Sequence, residues 1–124
     1  MKYEELTSDI IKCFYKVYNT LGYGFLEKVY ENSLLIELKK LGYKVESQKS
    51  LDVYYDNQVV GNYYADIVVE NKIILELKSA ETLRREHKNQ LINYLKTTDI
   101  EVGLLLNFGE KAQLKRVMFS NYKN

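Results

Sequence analysis

The sequence has no proline, a single cysteine, no long apolar run and almost no net charge. Cys13 by itself excludes an internal disulfide and a zinc site built from cysteines. Its place on the apolar face of a predicted helix indicates a buried, inert thiol. No apolar run approaches the length of a membrane span, and the N-terminus lacks the basic-then-apolar layout of a signal peptide. We therefore expect a cytoplasmic protein that does not bind membranes.

The charge is nearly balanced, with 18 basic and 17 acidic residues and a formal net charge of +1. This balance gives no overall attraction to nucleic acid, so any such binding must come from a local patch of charge. The apolar fraction of 46% and the charged fraction of 28% are those of an ordinary globular protein. Because 124 residues contain no repeat, low-complexity segment or linker, we expect a single domain over residues 1–124.

Hydrophobic periodicity predicts eight elements of secondary structure. They are helices over residues 4–20, 25–41 and 82–97 and strands over residues 43–55, 59–69, 73–78, 102–108 and 114–119. The order ααβββαββ predicts an α/β fold, with a mixed β-sheet of about five strands flanked by helices. The connection from the third strand through the last helix should be a parallel crossover.

Residues 66–78 carry the most informative pattern, Asp-Ile-Val-Val-Glu-Asn-Lys-Ile-Ile-Leu-Glu-Leu-Lys. Side chains alternate along a strand, so Glu76 and Lys78 point to the same face. A turn at residues 70–72 that pairs the two strands antiparallel brings Asp66 back toward Glu76. Two adjacent carboxylates favour a hard divalent cation between them, and a nearby lysine can orient or deprotonate a water. This residue set is what metal-assisted phosphodiester hydrolysis requires.

The same residues also fit a structural interpretation, which the pattern leaves open. A glutamate and a lysine two positions apart on a strand often form only an exposed ion pair, which contributes little to stability. The spacing Glu-x-Lys also occurs by chance in many proteins. A cluster of structural ion pairs in an ordinary α/β domain therefore remains an alternative.

The helices contribute further candidates. Glu27 and Tyr30 are three residues apart and share one side of the second helix, although a carboxylate near a helix N-terminus is also stabilised by the helix dipole. His87 and Gln90 lie in the last helix on the face turned toward the sheet. A lone histidine is more often a partly buried structural residue than a site residue. Residues 84, 85 and 88 give this helix a basic side, which is either a solvated surface or a phosphate contact.

Residues 24–30, Gly-Phe-Leu-Glu-Lys-Val-Tyr, resemble the signature of the GxxExxY protein family. Further blocks are similar to that family in the same order: Tyr63-Tyr64-Ala65-Asp66, Glu76-Leu77-Lys78, His87, Gln90-Leu91, Tyr94-Leu95, residues 104–109 and Lys115-Arg116-Val117. The resemblance covers about residues 5 to 119. It implies membership of the PD-(D/E)xK nuclease-like superfamily, whose core is the restriction-endonuclease-like fold.

The resemblance implies a role for each matching residue. Asp66 and Glu76 would be the two acids of the superfamily motif and Lys78 its lysine, with Glu27 as an additional acid from the helix. Gln90 and Tyr94 look like the Q-x-x-x-Y element that positions substrate, and we place His87 and Tyr30 in the same substrate-positioning group. Ala65 precedes Asp66 where the superfamily name shows a proline, a position that is poorly kept across the superfamily.

The sequence therefore predicts a nuclease dependent on Mg²⁺ or Mn²⁺ that hydrolyses phosphodiester bonds in nucleic acid, with DNA favoured. Asp66, Glu76 and the carbonyl of Leu77 would bind the metal, and Glu27 would bind it directly or through water. Lys78 would activate or orient the attacking water. The alternative is a catalytically silent nuclease-fold module that binds nucleic acid or a partner, which the small size and near-neutral charge favour. A homodimer would double the number of phosphate contacts.

Overall fold

The computed structural model describes residues 1–120 as a five-stranded sheet with helices on both faces. The helices are α1 (Glu4–Leu21), α2 (Glu27–Lys40) and α3 (Arg85–Lys96), and the strands are β1 (Val45–Tyr55), β2 (Gln58–Val69), β3 (Ile73–Lys78), β4 (Val102–Phe108) and β5 (Ala112–Met118). The predicted order ααβββαββ and the α/β class are confirmed. No helix within residues 1–120 is long and apolar enough to cross a membrane.

Two helices begin later than the periodicity predicts. α2 begins at Glu27 rather than residue 25, because Leu26 is extended, with φ −67° and ψ 152°. α3 begins at Arg85 rather than residue 82, because Arg84 is extended and the backbone N–H of Leu83 donates to Oε1 of Gln113 at 3.1 Å. At the start of α3, this contact with β5 outweighs local helix propensity.

The strands lie in the order β1-β2-β3-β4-β5. β3 and β4 are parallel and are joined through α3, which confirms the predicted crossover, whereas the other neighbouring strands are antiparallel. Every residue of β4 is buried, as is usual for a central strand with helices on both faces. The turn between β1 and β2 falls at Asp56 and Asn57, and both have positive φ, which suits a tight hairpin.

Each face of the sheet has its own apolar core. α1 and α2 cover one face, where the ring of Phe108 stacks on Tyr30 at 4.3 Å and meets Phe14 edge-on at 4.9 Å. α3 covers the other face through Leu91 and Leu95. Cys13 is buried in the first core, as predicted.

The connection from β3 to α3 is fixed to the end of β4. The buried side chain of Asn107 accepts a hydrogen bond from the backbone N–H of Ala80 at 2.8 Å and donates to the carbonyl of the same residue at 2.9 Å. Gly109 approaches this carbonyl so closely that an added Cβ would lie 2.3 Å from it. The position of the chain after Lys78 therefore depends on a glycine at residue 109.

We predict that Gly109→Ala destabilises the protein by about 1–3 kcal/mol, because the new methyl group forces backbone atoms apart in a packed region. Urea unfolding measures the change. Gly61→Ala is the matched control: its added Cβ would meet only Val53, at 3.6 Å, so we expect a change within about 0.5 kcal/mol. Equal stabilities for the two variants would contradict the prediction.

Candidate active site

Two carboxylates occupy the point where β2 and β3 stop pairing. The ladder joins Ile67 to Leu75, and the next positions along the two strands are Asp66 and Glu76. There the side chains replace the ladder: Oε1 of Glu76 accepts a hydrogen bond from the backbone N–H of Asp66 at 3.0 Å. Oδ2 of Asp66 accepts one from the N–H of Leu77 at 2.9 Å. The antiparallel turn thus brings the two acids together, as the sequence predicts.

Both carboxyl groups resist ionisation in the metal-free protein. Glu76 is only 3% exposed, and its burial, together with the charge of Asp66, raises its pKa to about 8. Burial also raises the pKa of Asp66, against the hydrogen bonds from Leu77 and Gln48 that favour its charged form. A divalent cation would remove this repulsion, because it stabilises both ionised carboxylates at once.

Lys78 points to the same face as Glu76, and its Nζ donates to Oε1 of Gln90 at 2.8 Å. Burial, followed by the charges of Glu76 and Asp66, raises the pKa of Tyr94 to about 12. Gln90 also lies close enough to Tyr94, one turn later on α3, to lower the pKa of the phenol. The structure therefore brings together five of the predicted site residues: the two acids, the lysine, and the glutamine and tyrosine of α3.

Glu27 lies near this group but is not one of its direct contacts. Its charge helps to raise the pKa of Glu76, yet its side chain is exposed in the first turn of α2. Within residues 1–120, no three His, Cys, Asp or Glu side chains are arranged to hold a metal ion. The metal-binding set of Asp66, Glu76, Leu77 and Glu27, in which Glu27 binds directly or through water, stays a prediction.

Tyr30 and His87 are not brought to the cluster. Tyr30 is fully buried, and its hydroxyl donates to the carbonyl of Gly22 at 2.7 Å and accepts from the N–H of Phe25 at 3.1 Å. These two hydrogen bonds connect Tyr30 to the loop before α2. Nδ1 of His87 accepts from the backbone N–H of Arg84 at 3.0 Å, which engages this imidazole at the start of α3.

Two residues that the sequence does not single out join the cluster. Glu31, only 4% exposed, accepts hydrogen bonds from Oγ of Ser47 at 2.6 Å and from Nε2 of Gln48 at 2.9 Å, and pairs with Lys28. The same Nε2 of Gln48 donates to Oδ1 of Asp66 at 3.2 Å. Burial acts to raise the pKa of Glu31, but the hydrogen bonds outweigh it and hold the pKa below its usual range.

Gln48 adopts this position through an unusual backbone conformation. Its φ is +51°, in the left-handed region, although it lies within a strand and is not glycine. The β1–β2 ladder pairs Ser47 and Lys49 on either side of it, but the pair formed by Gln48 and Asp66 is missing. Such a conformation costs on the order of 1–3 kcal/mol and persists only where its surroundings impose it.

The available donors suit a hard cation. The pair Asp66 and Glu76 offers carboxylate oxygens, and the backbone of Leu77 lies between Glu76 and Lys78, with its N–H already bonded to Asp66. Mg²⁺ is commonly held by one or two carboxylates and completes its shell with waters and substrate phosphates. The residues therefore fit Mg²⁺ or Mn²⁺ without a third acidic ligand.

Comparisons with solved structures show the same fold. The crystal structure of SSO0001 matches with a TM-score of 0.60 and 18% identity, over 77% of this chain and 50% of that one. The chain thus spans about half the length of SSO0001. The crystal structure of an alkaline exonuclease (LHK-Exo) from Laribacter hongkongensis matches with a TM-score of 0.58 and 8% identity, over 98% and 73% of the two chains.

Comparison with curated proteins gives no match. A family model described as the PD-(D/E)XK nuclease superfamily matches residues 4–117, which is almost the whole chain. This chain therefore belongs to the PD-(D/E)XK nuclease superfamily.

Proposed function

We propose that the protein is a divalent-metal-dependent nuclease that hydrolyses phosphodiester bonds in nucleic acid, with DNA the favoured substrate. The observation that carries this proposal is the pair formed by half-buried Asp66 and buried Glu76, which lies beside the Lys78–Gln90 hydrogen bond. Superfamily membership and the fold shared with an exonuclease support it. The motif over residues 24–30 further supports placement in the GxxExxY family. The single domain, the cytoplasmic location and the homodimer stay predictions.

Each residue has a distinct role in this proposal. Asp66, Glu76 and the carbonyl of Leu77 would hold Mg²⁺ or Mn²⁺, and Glu27 would contribute through a water. The bound metal would lower the pKa of a water and offset the charge of the phosphate. Lys78 would orient the attacking water, while Gln90 holds the lysine ammonium in place and Tyr94 packs beside it. Gln48 would orient Asp66.

A catalytically silent module is the second candidate, and one observation favours it. Asp66 and Glu76 each already accept a hydrogen bond from a backbone N–H, so the metal-free cluster is partly satisfied by the fold itself. Such a site would keep its shape without a cation. The two candidates differ in whether the bound metal supports hydrolysis.

We predict that Glu76→Gln, which keeps the shape of the side chain but removes its charge, weakens Mn²⁺ binding and slows cleavage by at least about 100-fold. Loss of an outer partner of a metal ligand already costs about 10–100-fold, and a direct ligand should cost more. Isothermal titration and cleavage of single-stranded and duplex DNA and RNA measure the two effects. Glu110→Gln, at an exposed acid in the β4–β5 turn, is the control. Wild-type cleavage by Glu76→Gln would falsify the nuclease proposal, and metal binding without cleavage in the wild type would favour the silent module.

The two glutamates of α2 should separate function from stability. We expect Glu27→Gln to slow cleavage by about 10–100-fold through a lost outer contact, with an unfolding free energy within about 0.5 kcal/mol of the wild type. Glu31→Gln removes the charged acceptor of Ser47, Gln48 and Lys28 and should cost about 1–3 kcal/mol in stability. Urea unfolding and initial cleavage rates test both variants. A loss of stability without slower cleavage in Glu27→Gln, or wild-type stability with slower cleavage in Glu31→Gln, would contradict these roles.

The raised pKa of Glu76 predicts a pH dependence in the metal-free protein. The folded state keeps a proton on Glu76 up to a pKa of about 8, whereas the unfolded chain releases it near the ordinary value of 4.5. The folded state therefore binds more protons in this window, and Glu76 makes stability fall as pH rises from about 5 to 8. We expect Glu76→Gln to gain stability relative to the wild type over that range, by urea unfolding in EDTA. If the unfolding free energies of the two proteins changed equally with pH, the prediction would be contradicted.

A further inference from the structure

A basic groove of about 730 Å³ lies along α3, on the side of the helix opposite Gln90 and Tyr94. At 100° per residue, Arg85 and Lys88 point away from those two side chains. Leu105 of β4 forms the floor of the groove, and Lys115 of the edge strand β5 forms its outer wall. The groove therefore shares one face of the sheet, and one helix, with the candidate active site.

Four cations line this basic groove without an acidic counterpart. Arg84, Arg85, Lys88 and Lys115 contribute to its walls, and no aspartate or glutamate within residues 1–120 lines it. Among residues 1–120, the ion pairs involve other lysines. In a chain whose net charge is only +1, this is a local concentration of positive charge. Such a groove attracts polyanions.

The strand register connects the basic groove to the acids. Glu76 is the partner of Leu105 on β4, and Leu105 is the partner of Lys115 on β5. The three residues therefore form one row across the sheet. With neighbouring strands about 4.8 Å apart, the backbone at Lys115 lies on the order of 10 Å from that at Glu76. Leu105 is fully buried beneath α3, so a bound strand would reach from the groove to the acids around α3 rather than along this row.

We infer that the basic groove binds the sugar–phosphate backbone of the nucleic acid strand whose phosphodiester reaches Asp66 and Glu76. This inference rests on the proposed function, and it assigns the substrate-binding surface that the acid cluster lacks. Guanidinium groups bind phosphate through paired hydrogen bonds, which suits Arg84 and Arg85. No aromatic side chain lines the groove within the described residues, so it contacts the backbone rather than stacking on bases.

The test compares two double variants in EDTA, where cleavage is prevented. The groove variant, Lys88→Gln with Lys115→Gln, removes two cations of the basic groove. The control variant, Lys12→Gln with Lys39→Gln, removes two exposed cations from α1 and α2 on the opposite face of the sheet. Fluorescence anisotropy with a short labelled single-stranded DNA gives the affinity between about 50 and 200 mM salt. We expect the groove variant to bind on the order of tenfold more weakly. Its salt slope should be smaller by about 1.4, since each lost phosphate contact contributes about 0.7.

The control variant should keep both the affinity and the salt slope of the wild type. A second groove variant combines Arg85→Gln with Lys115→Gln. Thermal unfolding checks that each variant is folded. Wild-type affinity and slope in both groove variants would overturn the inference. Displacement of the DNA by polyglutamate as effectively as by unlabelled DNA of equal charge would also overturn it, in favour of an acidic peptide.

The same proteins, assayed with Mn²⁺, separate this inference from the proposed function. Weakened DNA binding in the groove variants without cleavage by the wild type would support the groove and reject the nuclease. Cleavage by the wild type together with unchanged DNA binding in the groove variants would support the nuclease and reject the groove.

Discussion

The structure depends on how two carboxylates, one buried and one half-buried, are accommodated where two strands separate. Asp66 and Glu76 would lie across from each other in a continued ladder, and like charges in that position repel. Each instead accepts a hydrogen bond from the opposite strand's backbone, so the side chains replace the main-chain pairing that stops there. The backbone N–H groups remain satisfied, and the acids are fixed in position. The raised pKa of Glu76 reflects its burial first and the charge of Asp66 second.

The surrounding residues keep this unfavourable arrangement in place. The amide nitrogen of Gln48, a residue of β1, donates hydrogen bonds to both Glu31 of α2 and Asp66 of β2. It therefore links these two elements. The left-handed backbone conformation of Gln48 costs free energy locally. A purely structural strand would avoid this cost, because an ordinary strand conformation would restore the ladder pair of Gln48 and Asp66. The charged carboxylate of Glu31 is stabilised by hydrogen bonds from Ser47, Lys28 and Gln48, and the last of these fixes the glutamine side chain.

Periodicity predicted the features that depend on neighbours in sequence. Alternation along β3 placed Glu76 and Lys78 on one face, a short turn returned Asp66 to them, and helical spacing aligned Gln90 with Tyr94. What periodicity could not supply was the partner of each polar group. Tyr30 lies on the apolar face of α2, but its inward hydroxyl depends on the loop before the helix. The roles of Glu31 and Gln48 arise only when α2 packs against β1, and the pattern of residues 45–55 contains no sign of a left-handed residue.

α3 connects the two charged surfaces on its side of the sheet. It presents Gln90 and Tyr94 toward the acids and Arg85 and Lys88 toward the basic groove, on opposite sides of one helix. A phosphate cannot approach two carboxylates closely unless a cation offsets their charge, so the acid pair alone would repel the substrate. On the proposed function, the groove supplies the attraction and the metal neutralises the acids. Nucleic acid binding would then need no metal, whereas hydrolysis would need both surfaces. The near-neutral net charge is compatible with a nucleic acid substrate because the positive and negative groups are separated across α3.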